Sequence, residues 1–457
     1  MPHLVADLTA MLDPARVLHS REHLLSYGYD GTAALSGVPA VVVMVKTVEE
    51  VAAVVKYAGA NRIAIVGRGS GTGLSGGSVP STGCIVLCTA QMDKVLELDE
   101  KNLTVLVESG CITQKVSDLA DSVGLLYPPD PGSMKISTIG GNVAENSGGL
   151  RGLKYGITRD YVMGMEAVLM GGETIRLGGK LTKDVAGYDL VRLLVGSEGT
   201  LAVLTEITVK LLPMPAAKMT GAAFFVDLES SARSVGRIVA DRILPATLEF
   251  LDRTTMQVVD ASANLGLPDD AGAMLIFGQD GAAEVVERET RRMAEICREE
   301  GAIRVEVAAT DAEADKLLAA RRGAIPALAR LAPTLILEDV TVPRSELPAV
   351  VRKIQQIGIE EELLIAVFGH AGDGNLHPVC CIDDRDPDQV ARVHRAFDRI
   401  FATALEHGGT ITGEHGIGVT KLSHLEDRLG ATGIELLRGI KRAFDPLGLL
   451  NPGKAVP

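Results

Sequence analysis

The sequence predicts an α+β protein built in parts, and three observations carry that reading. Short apolar runs and long glycine-rich loops fill the chain as far as Pro213 and Pro215. Beyond these prolines the pattern becomes strand–helix–strand, twice over. Strands at 222–226 and 246–250 flank a helix at 229–241, and strands at 273–277 and 303–308 flank a helix at 282–300. From about Asp388 the chain reads as mostly helical. The expected parts are 1–215, 216–410 and a C-terminal segment at 411–457, with the helices of the middle part on one face of its sheet.

The elements follow from local pattern. Residues 1–45 read as a short helix, a loop and a strand. Thr47-Val48-Glu49-Glu50 has the form of a capping box and opens a helix to about residue 60. A strand at 63–66, a glycine loop, a strand at 84–88 and another at 103–108 come next, then a helix at 113–124. Residues 127–149, rich in Pro and Gly, read as irregular. Strands return at 165–170 and 201–212. In the middle part a further helix at 345–357 leads into a strand at 363–368.

Composition excludes several classes. The chain has 457 residues, a formal charge of −14 and no Trp. It lacks a basic patch with interleaved aromatics, which argues against nucleic-acid binding. Its start has no basic segment before an apolar core, so no secretory signal is expected. No apolar run approaches the roughly 18 residues of a membrane span. The cysteines at 84, 88, 111, 297, 380 and 381 form no C-x-x-C pair. An internal iron–sulfur cluster or zinc knuckle is therefore not expected. Cys380 and Cys381 read as buried strand thiols, and the cytoplasm as the compartment.

Residues 63–88 read IAIVGRGSGTGLSGGSVPSTGCIVLC, with five glycines between Gly69 and Gly77. Gly71, Gly73 and Gly76 match G-x-G-x-x-G. A Rossmann turn needs a helix next, yet only Ser78 to Gly83 separate this loop from the strand at 84–88. The match is accidental. What remains is a loop whose backbone N–H groups can form an anion nest, with hydroxyl donors from Thr72 and Ser75.

A second signal is FGHAGDGNLHP at 368–378. A strand ends at His370, a Gly-rich turn follows, and His377 returns to the same side. Asp373 reads as a turn aspartate. GGTITGEHGIG at 408–418 adds Glu414 and His415, whose side chains point opposite ways in an extended stretch. Two imidazoles and a carboxylate make a site for a divalent metal.

These stretches resemble the vanillyl-alcohol oxidase type of FAD-binding fold. The likeness runs through RGSGTGLSGGSVP at 68–80, PPDPGSMKISTIGGNVAENSGG at 128–149, LKYGITRDYV, GGKLTKDVAGYDL and LLVGSEGTLAVLTEITVKLLP, and on to the terminal NPGK. The branch it resembles holds the glycolate oxidase flavin subunit, D-lactate dehydrogenase and D-2-hydroxyglutarate dehydrogenase. The resemblance implies a two-subdomain FAD-binding domain at 1–215, an α+β substrate or cap domain at 216–410, and a helical C-terminal segment returning to the flavin. It implies cofactor contacts from Arg68, Gly69, Ser70, Gly71, Thr72, Gly73 and Ser75, from Pro129 and Asp130, from Gly140, Gly141, Asn142 and Asn146, and from Glu198 and Gly199. With no His or Cys in residues 68–77, the FAD is expected to be non-covalent.

The resemblance also implies the chemistry. His370, His377 and Glu414 match the metal ligands of the family's metal-dependent members, with Zn²⁺ or Mn²⁺ expected. His415 matches the residue that acts on substrate, and Arg321 the arginine that binds its carboxylate, while Arg322 faces solvent. A 2-hydroxy acid then loses its hydroxyl proton to His415, an imidazole suited to neutral pH. Its C2 hydride goes to flavin N5. Hydroxyglutarate enzymes carry a lysine where this chain has PTLILEDV at 333–340, and an asparagine at Val379. Both departures point to glycolate or D-lactate, and ILEDVTVPRSELP at 336–348 looks most like the glycolate oxidase subunit. Alternatives left open are D-2-hydroxyglutarate dehydrogenase and a flavin-dependent transferase resembling alkyl-dihydroxyacetone-phosphate synthase. An oligomer with a separate iron–sulfur subunit, tethered through a partner to the inner face of the membrane, is the expected assembly.

Overall fold

The computed structural model describes residues 3–457. They form two compact units. One comprises residues up to Ser147, Ile157–Met214 and Glu414–Pro457, the other Gly148–Gly156 and Pro215–Gly413.

The first unit holds two main sheets. In the smaller, Ile85–Cys88 lies between Val41–Met44 and Ile65–Arg68 and is parallel to both. Parallel strands are covered on both faces, and these strands are apolar except for Arg68 at the end of one. Val41, Val43, Ile65, Ile85 and Leu87 enter one core cluster, and Val42, Met44, Val66 and Val86 the other. Helix Val48–Asn61 covers the first face with Val51, Val54, Val55 and Ala58, spaced at helical period. Burying each valine stabilises by about 2 kcal/mol. Thr47 caps this helix by accepting from the Glu50 N–H at 3.3 Å. The reciprocal bond goes one residue further back, from the Lys46 N–H to Glu50 at 2.8 Å, because Arg16 also holds that carboxylate. The larger sheet is antiparallel, in the order Val95–Asp99, Thr104–Glu108, Val203–Lys210, Val162–Val168, Thr174–Gly178.

Residues 127–149 are not irregular throughout, for helix Ile139–Glu145 lies within them. Two glycines in its first turn, each costing about 1 kcal/mol of helix propensity, hide it from a sequence reading. Burial of Ile139 and Val143 overrides that cost.

The second unit is an antiparallel sheet in the order Arg304–Val307, Ala217–Phe225, Ala273–Gly281, Thr247–Asp252, Ile365–His370, Asn375–Ile382, Thr334–Leu337. Helices cover both of its faces, not the one expected. Ala222, Phe224, Met274 and Ile276 pack with Met256 and Val259 of helix Arg253–Ala263 and with Ala320 of helix Asp311–Arg322. The alternate residues Ala223, Phe225, Leu275 and Phe277 are equally buried. They face the other way, where helices Leu228–Ala240 and Ala283–Glu299 lie against the same strands. Cys380 is buried in its strand, but Cys381, on the opposite face, is only partly so. Among the described residues no helix is long and apolar enough to cross a membrane.

Candidate active site

One hairpin of the second unit carries the histidines. Strand Ile365–His370 pairs with Asn375–Ile382, setting Phe368 opposite His377 and His370 opposite Asn375. Side chains alternate along a strand, so His370 shares a face with Phe368, and His377 joins them from across the pair. The two imidazole rings stand 5.2 Å apart at 89°. In the turn, Gly374 has φ +86°, and a Cβ there would lie 2.0 Å from the Val342 carbonyl oxygen. Only glycine closes it. Asp373 accepts from the Asn375 N–H at 3.2 Å, as a turn aspartate does.

Glu414 opens the last segment of the first unit, one residue beyond Gly413, where the second unit ends. Asp339, fully buried, accepts from the Thr412 hydroxyl at 2.9 Å and the Gly413 N–H at 2.6 Å. His370, His377 and Glu414 each offer a ligand atom, and these atoms all lie within 4.8 Å of one another. Two ligand atoms each about 2.1 Å from a tetrahedral ion stand about 3.4 Å apart, so the group draws together by about 1 Å or more to close on an ion. The donor set suits Zn²⁺ or Mn²⁺.

Behind the histidines lies a carboxylate that no sequence motif singles out. Glu249, in strand Thr247–Asp252, is fully buried. One of its oxygens lies 2.7 Å from His370 Nδ1, and the other accepts from Arg321 Nε at 2.7 Å. Arg321 sits in the last turn of its helix, with its guanidinium 4.7 Å from the Phe368 ring centroid. Its side chain is 10% exposed, whereas that of Arg322 is 60% exposed.

In the first unit, strand Ile65–Arg68 runs straight into the glycine loop. Gly71 has φ +74°, and a Cβ there would lie 2.0 Å from the Arg68 guanidinium, over which the loop folds. Arg68 is engaged beneath it, donating to the Tyr29 carbonyl at 2.6 Å. Among the described residues, no backbone N–H of residues 70–75 donates to a protein group. Ser75 Oγ is buried without a partner. A row of unanswered donors fits the pyrophosphate of FAD.

The remaining expected contacts surround this loop or support it. A Cβ at Gly69 would lie 2.3 Å from Thr138 Oγ1. Thr138 caps helix Ile139–Glu145, accepting from the Gly141 N–H at 3.1 Å, and Gly140 lies in the same first turn. The side chains of Asn142 and Asn146 are engaged within the protein. Asn142 donates to Thr113 Oγ1 at 2.6 Å, and Asn146 accepts from the Arg159 N–H at 3.0 Å. Pro129 is buried and Asp130 half-buried in the loop after Leu125–Leu126.

Glu198 precedes Gly199 in a left-handed turn, at φ +50° and +68°. Its carboxylate accepts from the N–H groups of Ile417 and Gly418, in the loop that carries the buried His415. Beside it, burial and then the neighbouring Glu198 push the Glu145 carboxyl well above the usual range. Burial also raises Glu198, against the pull of its two N–H donors. Lys454, lowered to about 8 by burial, donates to the carbonyls of Gly77 and Val79. Asn451 donates to Gly77 O at 2.9 Å. The terminal NPGK thus clamps the far end of the glycine loop.

Two family models match the chain: an FAD binding domain over residues 39–178, and the C-terminal domain of FAD linked oxidases over 214–455. The chain is 51% identical over 430 residues to the glycolate oxidase subunit GlcD of Bacillus subtilis (strain 168), covering 94% of this chain and 92% of that protein. It is 37% identical over 454 residues to the D-lactate dehydrogenase of Anaerostipes hadrus, covering 96% and 94%. Among solved structures, p-cresol methylhydroxylase with substrate bound matches at a TM-score of 0.82 and 18% identity, over 99% of this chain and 96% of that one. At that identity the likeness is one of fold. Because the C-terminal model alone spans more than half of the chain and the relatives match over nearly their whole length, this protein belongs to the FAD-linked oxidases, flavin-dependent oxidoreductases of the vanillyl-alcohol oxidase fold.

Proposed function

We propose that this chain oxidises a small D-2-hydroxy acid, glycolate or D-lactate, to the 2-oxo acid, using non-covalent FAD and a divalent metal. The observation that carries this reading is the convergence of His370, His377 and Glu414 within 4.8 Å, with Arg321 held on the same carboxylate as His370. FAD, when bound, supplies the acceptor for two electrons. A metal at His370, His377 and Glu414 supplies a Lewis acid that eases loss of the substrate hydroxyl proton. Arg321 is held through Nε, which leaves its two terminal amino groups for the substrate carboxylate. His415 takes the hydroxyl proton on a ring nitrogen. The residues 70–75 loop holds the pyrophosphate through backbone N–H groups.

A one-carboxylate substrate fits the sheet next to the histidines. Val379 lies opposite Leu337 in register, and both pack with the apolar cluster that contains Phe368. The relatives named as subunits support a partner subunit, for which an iron–sulfur protein is the proposed electron acceptor. We place the assembly in the cytoplasm, at the inner face of the membrane through that partner.

The test is anaerobic reduction of the purified FAD-loaded, Mn²⁺-supplemented protein. Glycolate or D-lactate should bleach the visible flavin absorbance, ahead of L-lactate and D-2-hydroxyglutarate. A flavin that none of the four bleaches overturns the reading.

A further inference from the structure

We propose that Glu249 is a positioning residue that ties metal binding to substrate-carboxylate binding, an inference that rests on the roles given above to His370, His377, Glu414 and Arg321. Both of its oxygens are committed, one to His370 Nδ1 and one to Arg321 Nε, each at 2.7 Å. A carboxylate only accepts. The His370 proton therefore sits on Nδ1, and Nε2 keeps its lone pair for a metal. The other imidazole tautomer would present an N–H to the cation. On the other side, the single bond to Nε fixes the guanidinium plane, and Phe368 supports its face at 4.7 Å.

The surroundings show why stability alone does not explain this residue. Glu249 has no exposed surface, and its strand neighbours Leu248 and Phe250 are 1% exposed. Apolar side chains of similar volume in place of both Glu249 and Arg321 would serve these positions as well as their buried ion pair or better. The two partners are the residues proposed to meet metal and substrate. A ligand on either one acts through the same carboxylate, so each affinity depends on the other.

The test uses FAD-loaded protein stripped of metal and titrated with Mn²⁺ or Zn²⁺ by calorimetry. In Glu249→Gln the amide oxygen goes to Arg321, which can only donate. The NH₂ then faces His370 Nδ1 and drives the ring proton onto Nε2. Affinity for both ions should fall by about 10- to 100-fold, with flavin content near wild type. At saturating Mn²⁺, Glu249→Gln should keep the wild-type KM for D-lactate and glycolate, whereas Glu249→Ala should raise it about tenfold. Unchanged metal affinity in Glu249→Gln, or unchanged KM in Glu249→Ala, overturns the proposal. If the variants do not fold, wild-type protein labelled with ¹⁵N-histidine decides. His370 protonated at Nδ1 supports the role, and protonation at Nε2 alone removes it. Wild-type protein that binds neither ion overturns the functional reading itself, a result distinct from any variant's.

Discussion

The Glu198 carboxylate accepts from the Gly418 N–H at 2.7 Å, joining loops 220 residues apart, and its second oxygen takes the Ile417 N–H at 2.8 Å. These two bonds fix the backbone immediately after His415. His415 is the proposed base, and a base works only when its ring nitrogen is held at the substrate hydroxyl, so the loop's rigidity should bear on turnover. Glu198→Ala removes both acceptors and should destabilise the protein by about 3 kcal/mol. It should lower kcat more than it raises KM. Steady-state kinetics beside a thermal melt check this, and a variant with wild-type kcat would show that the bonds do not position His415.

Glu145 predicts a pH effect with a definite sign. Burial raises its folded pKa well above the ordinary 4.5. Between the unfolded and folded values, the folded state keeps a proton that the unfolded state has released. Stability then falls as pH rises from about 4.5. Gln mimics the protonated acid, so Glu145→Gln should melt higher than wild type at pH 7.5, with the gap closing toward pH 4.5. Melting curves across that range decide it; a gap independent of pH would refute the shifted carboxyl.

Gly71 tests the loop. Its φ of +74° disfavours any Cβ, and the Arg68 guanidinium already occupies the space. Gly71→Ala should add about 1–2 kcal/mol of local strain and displace the backbone N–H groups proposed to hold FAD. Flavin content of the purified protein should drop sharply while the second unit's metal affinity stays intact.

Metal removal separates the two sites. Chelator treatment, His370→Ala or Glu414→Ala should abolish hydroxy-acid turnover and leave FAD bound. Mn²⁺ or Zn²⁺ should restore the chelated wild type but neither variant. Full turnover by stripped protein would exclude the metal from the reaction.

Local pattern was enough for much of this protein. The glycine loop, the failure of a Rossmann helix to follow it, the turn around Asp373 and the separated H-x6-H and E-H motifs all lie within short stretches of chain. There the number of residues available decides which structures are possible. What packing decided was different. Helix Ile139–Glu145 stayed hidden because its glycines argue against a helix until Ile139 and Val143 find a core. Glu249 looks like any strand glutamate until the sheet sets its strand beside Ile365–His370 and helix Asp311–Arg322 delivers Arg321 to its other oxygen. Glu145, Glu198 and Lys454 are distant in sequence, and only burial together shifts their protons. Sequence alone brought out the groups proposed to do chemistry, because the motifs that carry the family resemblance are local. It could not name the groups that hold them, because desolvation and long-range pairing exist only once the chain has folded.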